Sequence, residues 1–129
     1  MTRPRIVIAE EIAEPGLERL RNAGFEVDIQ LEKSPEDLRQ CIVGASALII
    51  RSATNVDAEL LSAGNELVVV ARAGVGLDNV DITAATACGV MVVNAPESNI
   101  LSAAEHTMAL ILAISRNVPQ AHRALAQGR

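Results

Sequence analysis

Two arginines and a glycine-rich stretch are the residues of this chain whose types and spacing best suit binding chemistry. Arg51 follows the apolar run 47–50, and Arg72 follows the apolar run 67–71 and begins the stretch Arg-Ala-Gly-Val-Gly. A guanidinium group binds a carboxylate or a phosphate through paired hydrogen bonds, and successive backbone amides near glycines form a nest for an anion. We therefore predict that this part of the chain binds a small anion.

The glycines have two other interpretations. Gly74 and Gly76 match the first two glycines of the dinucleotide fingerprint G-x-G-x-x-G, but Asn79 occupies the third position. Glycines in a strand-to-helix turn can also be required for positive φ angles, a role that is compatible with anion binding. The stretch is therefore an incomplete cofactor loop, a tight turn or an anion-binding loop.

The arginines have a simpler explanation as well, because each could pair with a nearby acid such as Asp78 or Glu97. Ion pairing is the preferred explanation for one arginine alone, whereas two arginines after consecutive strands beside a glycine loop favour binding. Four polar side chains near these loops are candidate hydrogen-bond donors to a ligand or simple loop caps: Ser52, Thr54, Ser98 and Asn99.

The sequence offers no catalytic group. Neither His106 nor His122 has an evident carboxylate or nucleophile partner in the sequence, so we assign no general base. No cluster of metal-ligating residues or activated-nucleophile motif is present either. We therefore predict neither catalytic residues nor a metal site.

Five short apolar runs must form the elements that position the arginines. Strands are predicted at 5–9, 25–29, 47–50, 67–71 and 90–93. Helix starts are predicted near Pro15, Ser34, Asp57 and Asp81, and Ser102 to Glu105 has capping-box spacing before a long helix that Pro119 interrupts.

This alternation predicts an α/β fold with a doubly wound parallel sheet. The flavodoxin-like strand order 2-1-3-4-5 fits best, because the second strand alternates polar and apolar residues like an edge strand while strands three to five look buried. Ligands of such sheets bind beyond the carboxyl ends of the strands, where both arginines lie.

Composition excludes several partners. The 129 residues include a single aromatic residue and carry a formal net charge of -5, which argues against a nucleic-acid partner. The apolar run 108–114 is too short to span a membrane, so no membrane partner is expected. Cys41 and Cys88 have no ligand-like spacing and are interpreted as small buried residues of a reduced, cytoplasmic protein.

Three motifs that follow one another along the chain resemble the D-2-hydroxyacid dehydrogenases. They are RSAT at 51–54, ARAGVGLDNVD at 71–81, and VNAP at 93–96 followed by Asn99 and SAAEHT at 102–107. The resemblance extends over nearly the whole chain. It implies an NAD-dependent oxidoreductase that acts on a small anionic substrate.

The resemblance also implies a role for each matching residue. Arg51 and Arg72 would hold the phosphate of a phosphorylated hydroxyacid, and the amides of 74–76 would receive its carboxylate. Val75 would lie near the nicotinamide end of NAD. The full set of implied substrate-binding residues is Arg51, Ser52, Arg72, Ala73, Gly74, Val75, Gly76 and Asn99.

Members of this family continue into a cofactor domain that carries a complete G-x-G-x-x-G and the catalytic Arg, Glu and His. We therefore expect residues 1–101 to form the substrate-binding domain and 102–129 to form a helix leading toward a cofactor domain outside this chain. NAD would bind mainly to that other domain, and this chain alone would be inactive. The parent protein is expected to be a homo-oligomer.

Three alternatives to this interpretation exist. The substrate could be another D-2-hydroxyacid or a glyoxylate-type compound. The chain could also be an anion-binding module without catalytic activity. A receiver domain has the same predicted fold, and Glu10-Glu11 imitates its acidic pair. It is rejected because Arg51 stands where the phosphoacceptor aspartate belongs.

Overall fold

The computed structural model describes residues 3–129, in which five strands alternate with helices along the first part of the chain. The strands are β1 (Arg5–Ile8), β2 (Glu26–Ile29), β3 (Ala47–Ile50), β4 (Val69–Arg72) and β5 (Met91–Asn94). The helices are α1 (Glu14–Asn22), α2 (Pro35–Cys41), α3 (Ala58–Ala63), α4 (Ile82–Ala87), α5 (Ile100–Ser115) and α6 (Val118–Ala126). Two compact units result: one ends at Pro96, and the other is Glu97–Arg129.

The first unit contains one parallel sheet in the order β2-β1-β3-β4-β5, so the predicted fold and strand order are confirmed. Its register aligns Ile50 of β3 with Arg72 of β4, and Arg72 with Asn94 of β5. Arg51, the residue after Ile50, therefore lies at the same edge of the sheet as Arg72. The strand ends thus bring both arginines to the edge where ligands of such sheets bind.

The core lies mainly on one face of the sheet. Val7, Leu48, Ile50 and Val70 are fully buried there, in one cluster with apolar residues of α2, α3 and α4. On the other face, α1 contributes Leu17 to a smaller cluster with residues of β1 and partly buried residues of β2 and β3. Three helices on one face and one on the other leave the two faces unequally covered.

The prediction that strands three to five are all buried is wrong for β5. Met91 is 64% exposed and Val93 is 40% exposed. Both side chains belong to the face that carries α1, and α1 packs against β2, β1 and β3 rather than against β5. A continuous apolar run predicts a strand, but not whether a helix covers it.

Side-chain caps are found at three of the helix starts predicted in the first unit. Ser34, Asp57 and Asp81 each accept a hydrogen bond from the backbone N–H three residues later. Polar side-chain oxygens at this position satisfy amides that the helix leaves without a partner. Asp81 thereby fixes the start of α4, which follows the glycine-rich loop.

The second unit consists of α5 and α6. Asn117 has a left-handed backbone with φ 51° and separates the helices, and Pro119 lies in the first turn of α6, as predicted. The capping box at Ser102 is wrong, because α5 begins at Ile100, after Asn99, and Ser102 lies inside the helix. Within residues 3–129, no helix has both the length and the apolar composition needed to cross a bilayer.

Candidate anion-binding site

Arg51 and Arg72, both in the first unit, are joined through one carbonyl group. Arg72 is the last residue of β4, and its Nε donates a hydrogen bond of 3.1 Å to the carbonyl oxygen of Arg51, the first residue after β3. The terminal nitrogens of Arg72 are not used in this bond. The structure therefore fixes the base of the Arg72 guanidinium while its outer edge stays available for an anion.

Neither Arg51 nor Arg72 forms an ion pair with a described residue of its own unit. The ion pairs found among the described residues are Arg5–Asp28, Arg21–Glu14 and Arg39–Glu59. Asp78, the alternative partner in this unit, contributes to none of them. Among the described residues, the guanidinium group of Arg51 donates only a long hydrogen bond of 3.4 Å, from its terminal nitrogen to the carbonyl oxygen of Glu11.

Arg51 and Arg72 line different cavities. Arg51 lines a cavity of about 520 Å³ together with Glu10, Leu38, Thr54 and Leu60. Arg72 lines a second cavity, of about 500 Å³, whose other members are mostly apolar residues of α1, β3, β4 and β5. An anion that contacts both arginines would consequently lie across the sheet edge between the cavities, rather than inside one of them.

The glycines of the loop leave room for the ends of two nearby side chains. A Cβ on Gly74 would lie 2.7 Å from a terminal nitrogen of Arg72, and one on Gly76 would lie 2.9 Å from a carboxylate oxygen of Asp78. Neither glycine is among the residues with positive φ, so the tight-turn explanation based on positive φ is wrong. Gly74 instead leaves room for the Arg72 side chain to extend over the loop.

The loop itself is held by β5, and among residues 74–76 it leaves the amides of Val75 and Gly76 without acceptors. The side-chain amide of Asn94 donates a hydrogen bond of 2.7 Å to the carbonyl oxygen of Val75, and the backbone amide of Ala95 donates one of 2.9 Å to the carbonyl oxygen of Gly74. The Gly74 amide donates to the carbonyl of Arg72 at 2.9 Å. Within residues 3–129, the amides of Val75 and Gly76 have no hydrogen-bond acceptor. Of the three amides predicted to receive a carboxylate, 74–76, those of Val75 and Gly76 are therefore available.

Glu10 is a site residue that the sequence did not reveal. Its carboxylate accepts hydrogen bonds from the amides of Arg51 at 2.8 Å, Ala53 at 3.1 Å and Thr54 at 2.9 Å. Burial raises the pKa of Glu10, but these backbone hydrogen bonds and one with the Thr54 side chain outweigh it and lower the pKa below 4.5. The acidic pair 10–11 is the feature of the sequence that could have indicated this role, but by sequence alone it only resembles the acidic pair of a receiver domain.

Asn79, which occupies the third fingerprint position, is the second residue that was missed. Its side-chain amide donates hydrogen bonds to the backbone carbonyl oxygens of Arg51, at 2.8 Å, and Thr54, at 2.7 Å. The backbone carbonyl oxygen of Asn79 accepts a hydrogen bond of 2.8 Å from the amide of Val56. Asn79 therefore joins the loop after β3 to the loop after β4, a function that a third glycine could not perform.

The remaining candidates lie as follows. Ser52 is exposed next to Arg51, and Ala73 donates from its amide to the carbonyl of Ile50 at 2.8 Å. Asn99 belongs to the second unit, where it is exposed and forms no side-chain cap for α5. His106 and His122 are exposed on α5 and α6. No group of three potential metal ligands occurs in the part of the chain that the structure describes.

The cysteines differ from their prediction in one respect. Both are free thiols, and Cys41 is partly buried. Cys88, predicted to be buried, is exposed at the carboxyl end of α4. The helix ends there and turns through Gly89, so its last side chain lies outside the core.

Comparison with known proteins reveals a family. Residues 6–127 match the model of the catalytic domain of D-isomer specific 2-hydroxyacid dehydrogenases, which confirms the resemblance of the three motifs. The chain is 50% identical over 129 residues to D-3-phosphoglycerate dehydrogenase of Mycobacterium tuberculosis, covering 98% of this chain and 24% of that protein. The chain thus spans about a quarter of the length of the curated relatives it matches.

Two solved structures have the same fold over most of the chain. One is NAD⁺-bound 3-phosphoglycerate dehydrogenase of Entamoeba histolytica, with a TM-score of 0.77 and 30% identity, covering 87% of this chain and 39% of that one. The other is an NADPH-dependent glyoxylate/hydroxypyruvate reductase of Sinorhizobium meliloti in complex with NADP and malonate. It has a TM-score of 0.77 and 32% identity, covering 99% of this chain and 39% of that one.

Proposed function

The chain belongs to the family of D-isomer specific 2-hydroxyacid dehydrogenases, and we propose that the intact protein oxidises the 2-hydroxyl group of D-3-phosphoglycerate with NAD. Relatives that are 43% and 50% identical to this chain carry the name D-3-phosphoglycerate dehydrogenase. In a cytoplasmic protein this reaction would begin serine biosynthesis. This chain would supply the substrate-binding part, with residues 102–129 leading toward the cofactor domain.

The observation that carries the proposal is the joined pair of arginines. Arg51 and Arg72 lie at neighbouring strand ends, share a hydrogen bond of 3.1 Å, and form no ion pair with described residues of their unit. Two uncompensated guanidinium groups in an acidic chain favour a ligand that carries a phosphate. Ser52 would contribute its exposed hydroxyl beside them.

The substrate carboxylate would bind to the amides of Val75 and Gly76. Both donors lack acceptors within the described residues, and the loop that carries them is fixed by Asn94 and Ala95. Preorganised amides bind a carboxylate without the cost of ordering a flexible side chain. Phosphate and carboxylate together would then determine which face of C2 is presented to the cofactor.

NAD, when bound, would supply the acceptor for the hydride that leaves C2. Of the described residues, Val75 fits a contact with the nicotinamide end, because its side chain is 37% exposed beside the two available amides. Asn79 holds two carbonyl groups in the position where a pyrophosphate loop needs glycine, so the stretch 74–79 does not fit the pyrophosphate of a dinucleotide. Most of the contacts with NAD would come from the cofactor domain.

The groups of this chain therefore bind and orient, and none is assigned an acid–base step. A second candidate function is the reduction of glyoxylate or hydroxypyruvate. It is favoured by the separation of the two arginines into different cavities, because a substrate without phosphate needs only one of them. The reductase of Sinorhizobium meliloti shares 32% identity with this chain.

A comparison of D-3-phosphoglycerate with unphosphorylated D-glycerate tests the proposal. In the intact protein with NAD, we expect kcat/KM to favour the phosphorylated acid by at least about 100-fold, the effect of losing two charge-assisted contacts. NADP serves as the alternative cofactor, and glyoxylate with NADH or NADPH tests the second candidate. Equal use of both acids, or turnover of glyoxylate alone, would overturn the assignment.

A further inference from the structure

Glu10 lies where a carboxylate can control the loop that begins with Arg51. Glu10 lies two residues after the end of β1. The backbone amide of Ala9 donates a hydrogen bond of 3.0 Å to the carbonyl oxygen of Ile49 in β3. Ala9 is also buried, with 7% exposure. The backbone immediately before Glu10 is therefore fixed relative to β3, the strand from which Arg51 emerges.

Both oxygens of the Glu10 carboxylate are engaged by backbone amides of that loop. Oε1 accepts from Arg51 at 2.8 Å and from Thr54 at 2.9 Å, and Oε2 accepts from Ala53 at 3.1 Å. Hydrogen bonds to an ionised acceptor are stronger than those between neutral groups. These amides cannot also bind a ligand anion, so the loop offers its side chains to a ligand rather than its backbone.

The carbonyl group of Arg51 is held from the next loop. The carbonyl oxygen of Arg51 accepts from Nε of Arg72 at 3.1 Å and from the side chain of Asn79 at 2.8 Å. Both backbone polar groups of Arg51 are therefore fixed, one by a carboxylate and the other by two donors. Fixing the backbone limits where the long Arg51 side chain can place its guanidinium.

We propose that Glu10 is a positioning residue for substrate binding: its carboxylate holds the loop 51–54 so that the Arg51 guanidinium faces the substrate phosphate. This inference rests on the proposed function. Glu10 contacts neither substrate nor cofactor in this arrangement, and it acts through the backbone of Arg51. A change at Glu10 should alter the binding of the phosphorylated acid more than the rate of the chemical step.

Glu10→Gln in the intact protein removes the charge with little change in size. We expect KM for D-3-phosphoglycerate to rise about tenfold, the effect of losing a hydrogen bond to a charged group, while kcat and KM for NAD change less than about twofold. Glu10→Asp retains the charge and should recover part of the affinity. Glu18→Gln is the matched control, because Glu18 is exposed on α1 and forms no side-chain bond within residues 3–129.

Hydrogen exchange followed by mass spectrometry provides a readout that does not depend on activity. Peptides covering 51–54 should exchange faster in Glu10→Gln than in the wild type, and peptides of β2 and α1 should not. If the wild type does not oxidise D-3-phosphoglycerate, the proposed function is overturned, and this exchange still tests whether Glu10 holds the loop. Unchanged exchange in 51–54, or a loss confined to kcat in an active enzyme, would contradict the inference about Glu10.

Discussion

Nε of Arg72 donates a hydrogen bond to the carbonyl oxygen of Arg51 at 3.1 Å, so the side chain of one arginine is held by the backbone of the other. This geometry distinguishes the two residues. Arg72 is oriented by its own Nε, whereas Arg51 is oriented through its peptide groups. Lysine should therefore be a poorer substitute for Arg72 than for Arg51.

Lysine should not replace Arg72. Arg72→Lys keeps the positive charge but lacks Nε, so it cannot both donate to the Arg51 carbonyl and present a planar donor edge. In the intact protein we expect KM for D-3-phosphoglycerate to rise by about tenfold or more in Arg72→Lys, close to the effect of Arg72→Ala. Steady-state kinetics with D-glycerate, which lacks the phosphate, should show a much smaller change.

The control for the loss of charge in Arg72→Ala is Arg3→Ala, because Arg3 is exposed and precedes β1 at the opposite edge of the sheet. Its kinetics should equal those of the wild type. If Arg72→Lys bound D-3-phosphoglycerate as well as the wild type does, the role of the Nε bond would be refuted.

Much of the fold was accessible from the sequence, because it depends on local patterns. The apolar runs 47–50 and 5–9 marked two strands closely, and side-chain caps such as Ser34 and Asp81 marked helix starts. The strand order followed from the alternation of strands and helices. Exposure of β5 could not be predicted, since it depends on how far α1 extends over the sheet.

The candidate site was predictable only in part. Arg51 and Arg72 were found from their types and from their places after apolar runs, and the aligned strands bring them to one edge. Glu10 and Asn79 were not recognised, because each acts on backbone groups at least 25 residues away, as from Asn79 to Thr54. Sequence patterns report local periodicity, whereas such contacts exist only after the strands have paired.

A methyl group at position 74 should disturb substrate binding more than folding. The Cβ of Gly74→Ala would lie 2.7 Å from a terminal nitrogen of Arg72, the flexible end of a side chain that can move aside. We expect the free energy of unfolding to change by less than about 1 kcal/mol. The displaced guanidinium should raise KM for D-3-phosphoglycerate about tenfold, measured by steady-state kinetics.

Gly64 provides the contrasting variant. A Cβ there would lie 3.0 Å from Cβ of Leu67, in the buried core, where the neighbour cannot move easily. Gly64→Ala should therefore lower the free energy of unfolding by about 1–3 kcal/mol, measured by denaturant titration, and leave KM unchanged. The opposite pattern in the two variants would show that the Gly74 loop does not position Arg72.

The bonds to Glu10 should also appear in the pH dependence of stability. The pKa of Glu10 is lowered below its ordinary value of 4.5 in the folded chain, so its ionised form binds the loop more strongly than its protonated form. The resulting stabilisation is complete above the pKa of the unfolded chain and is lost as the pH falls through the lowered pKa. Glu10→Gln should therefore be less stable than the wild type at pH 7, and the difference should narrow below about pH 4.5.

Paired denaturant titrations of the wild type and Glu10→Gln at pH 7 and at pH 3.5 measure this difference. Other carboxylates titrate in both proteins, so their contribution cancels in the comparison. Glu18→Gln should follow the wild type at both pH values. A difference between the wild type and Glu10→Gln that widened in acid would contradict the lowered pKa.

Asn79 decides whether the glycine-rich stretch is an incomplete cofactor loop. Asn79→Gly completes the pattern G-x-G-x-x-G, yet it removes the donor to the carbonyls of Arg51 and Thr54. We expect the free energy of unfolding to fall by about 1–3 kcal/mol, because two carbonyl groups lose a partner, with no gain in affinity for NAD. Asn79→Asp should lower the free energy of unfolding more than Asn79→Gly does, since a carboxylate would face two carbonyl oxygens.

The control is Asn55→Gly, at an exposed position. Calorimetric titration with NAD measures the affinity for the cofactor. Tighter NAD binding in Asn79→Gly would mean that the stretch is a cofactor loop and that the assignment of Val75 and Gly76 to the substrate is wrong.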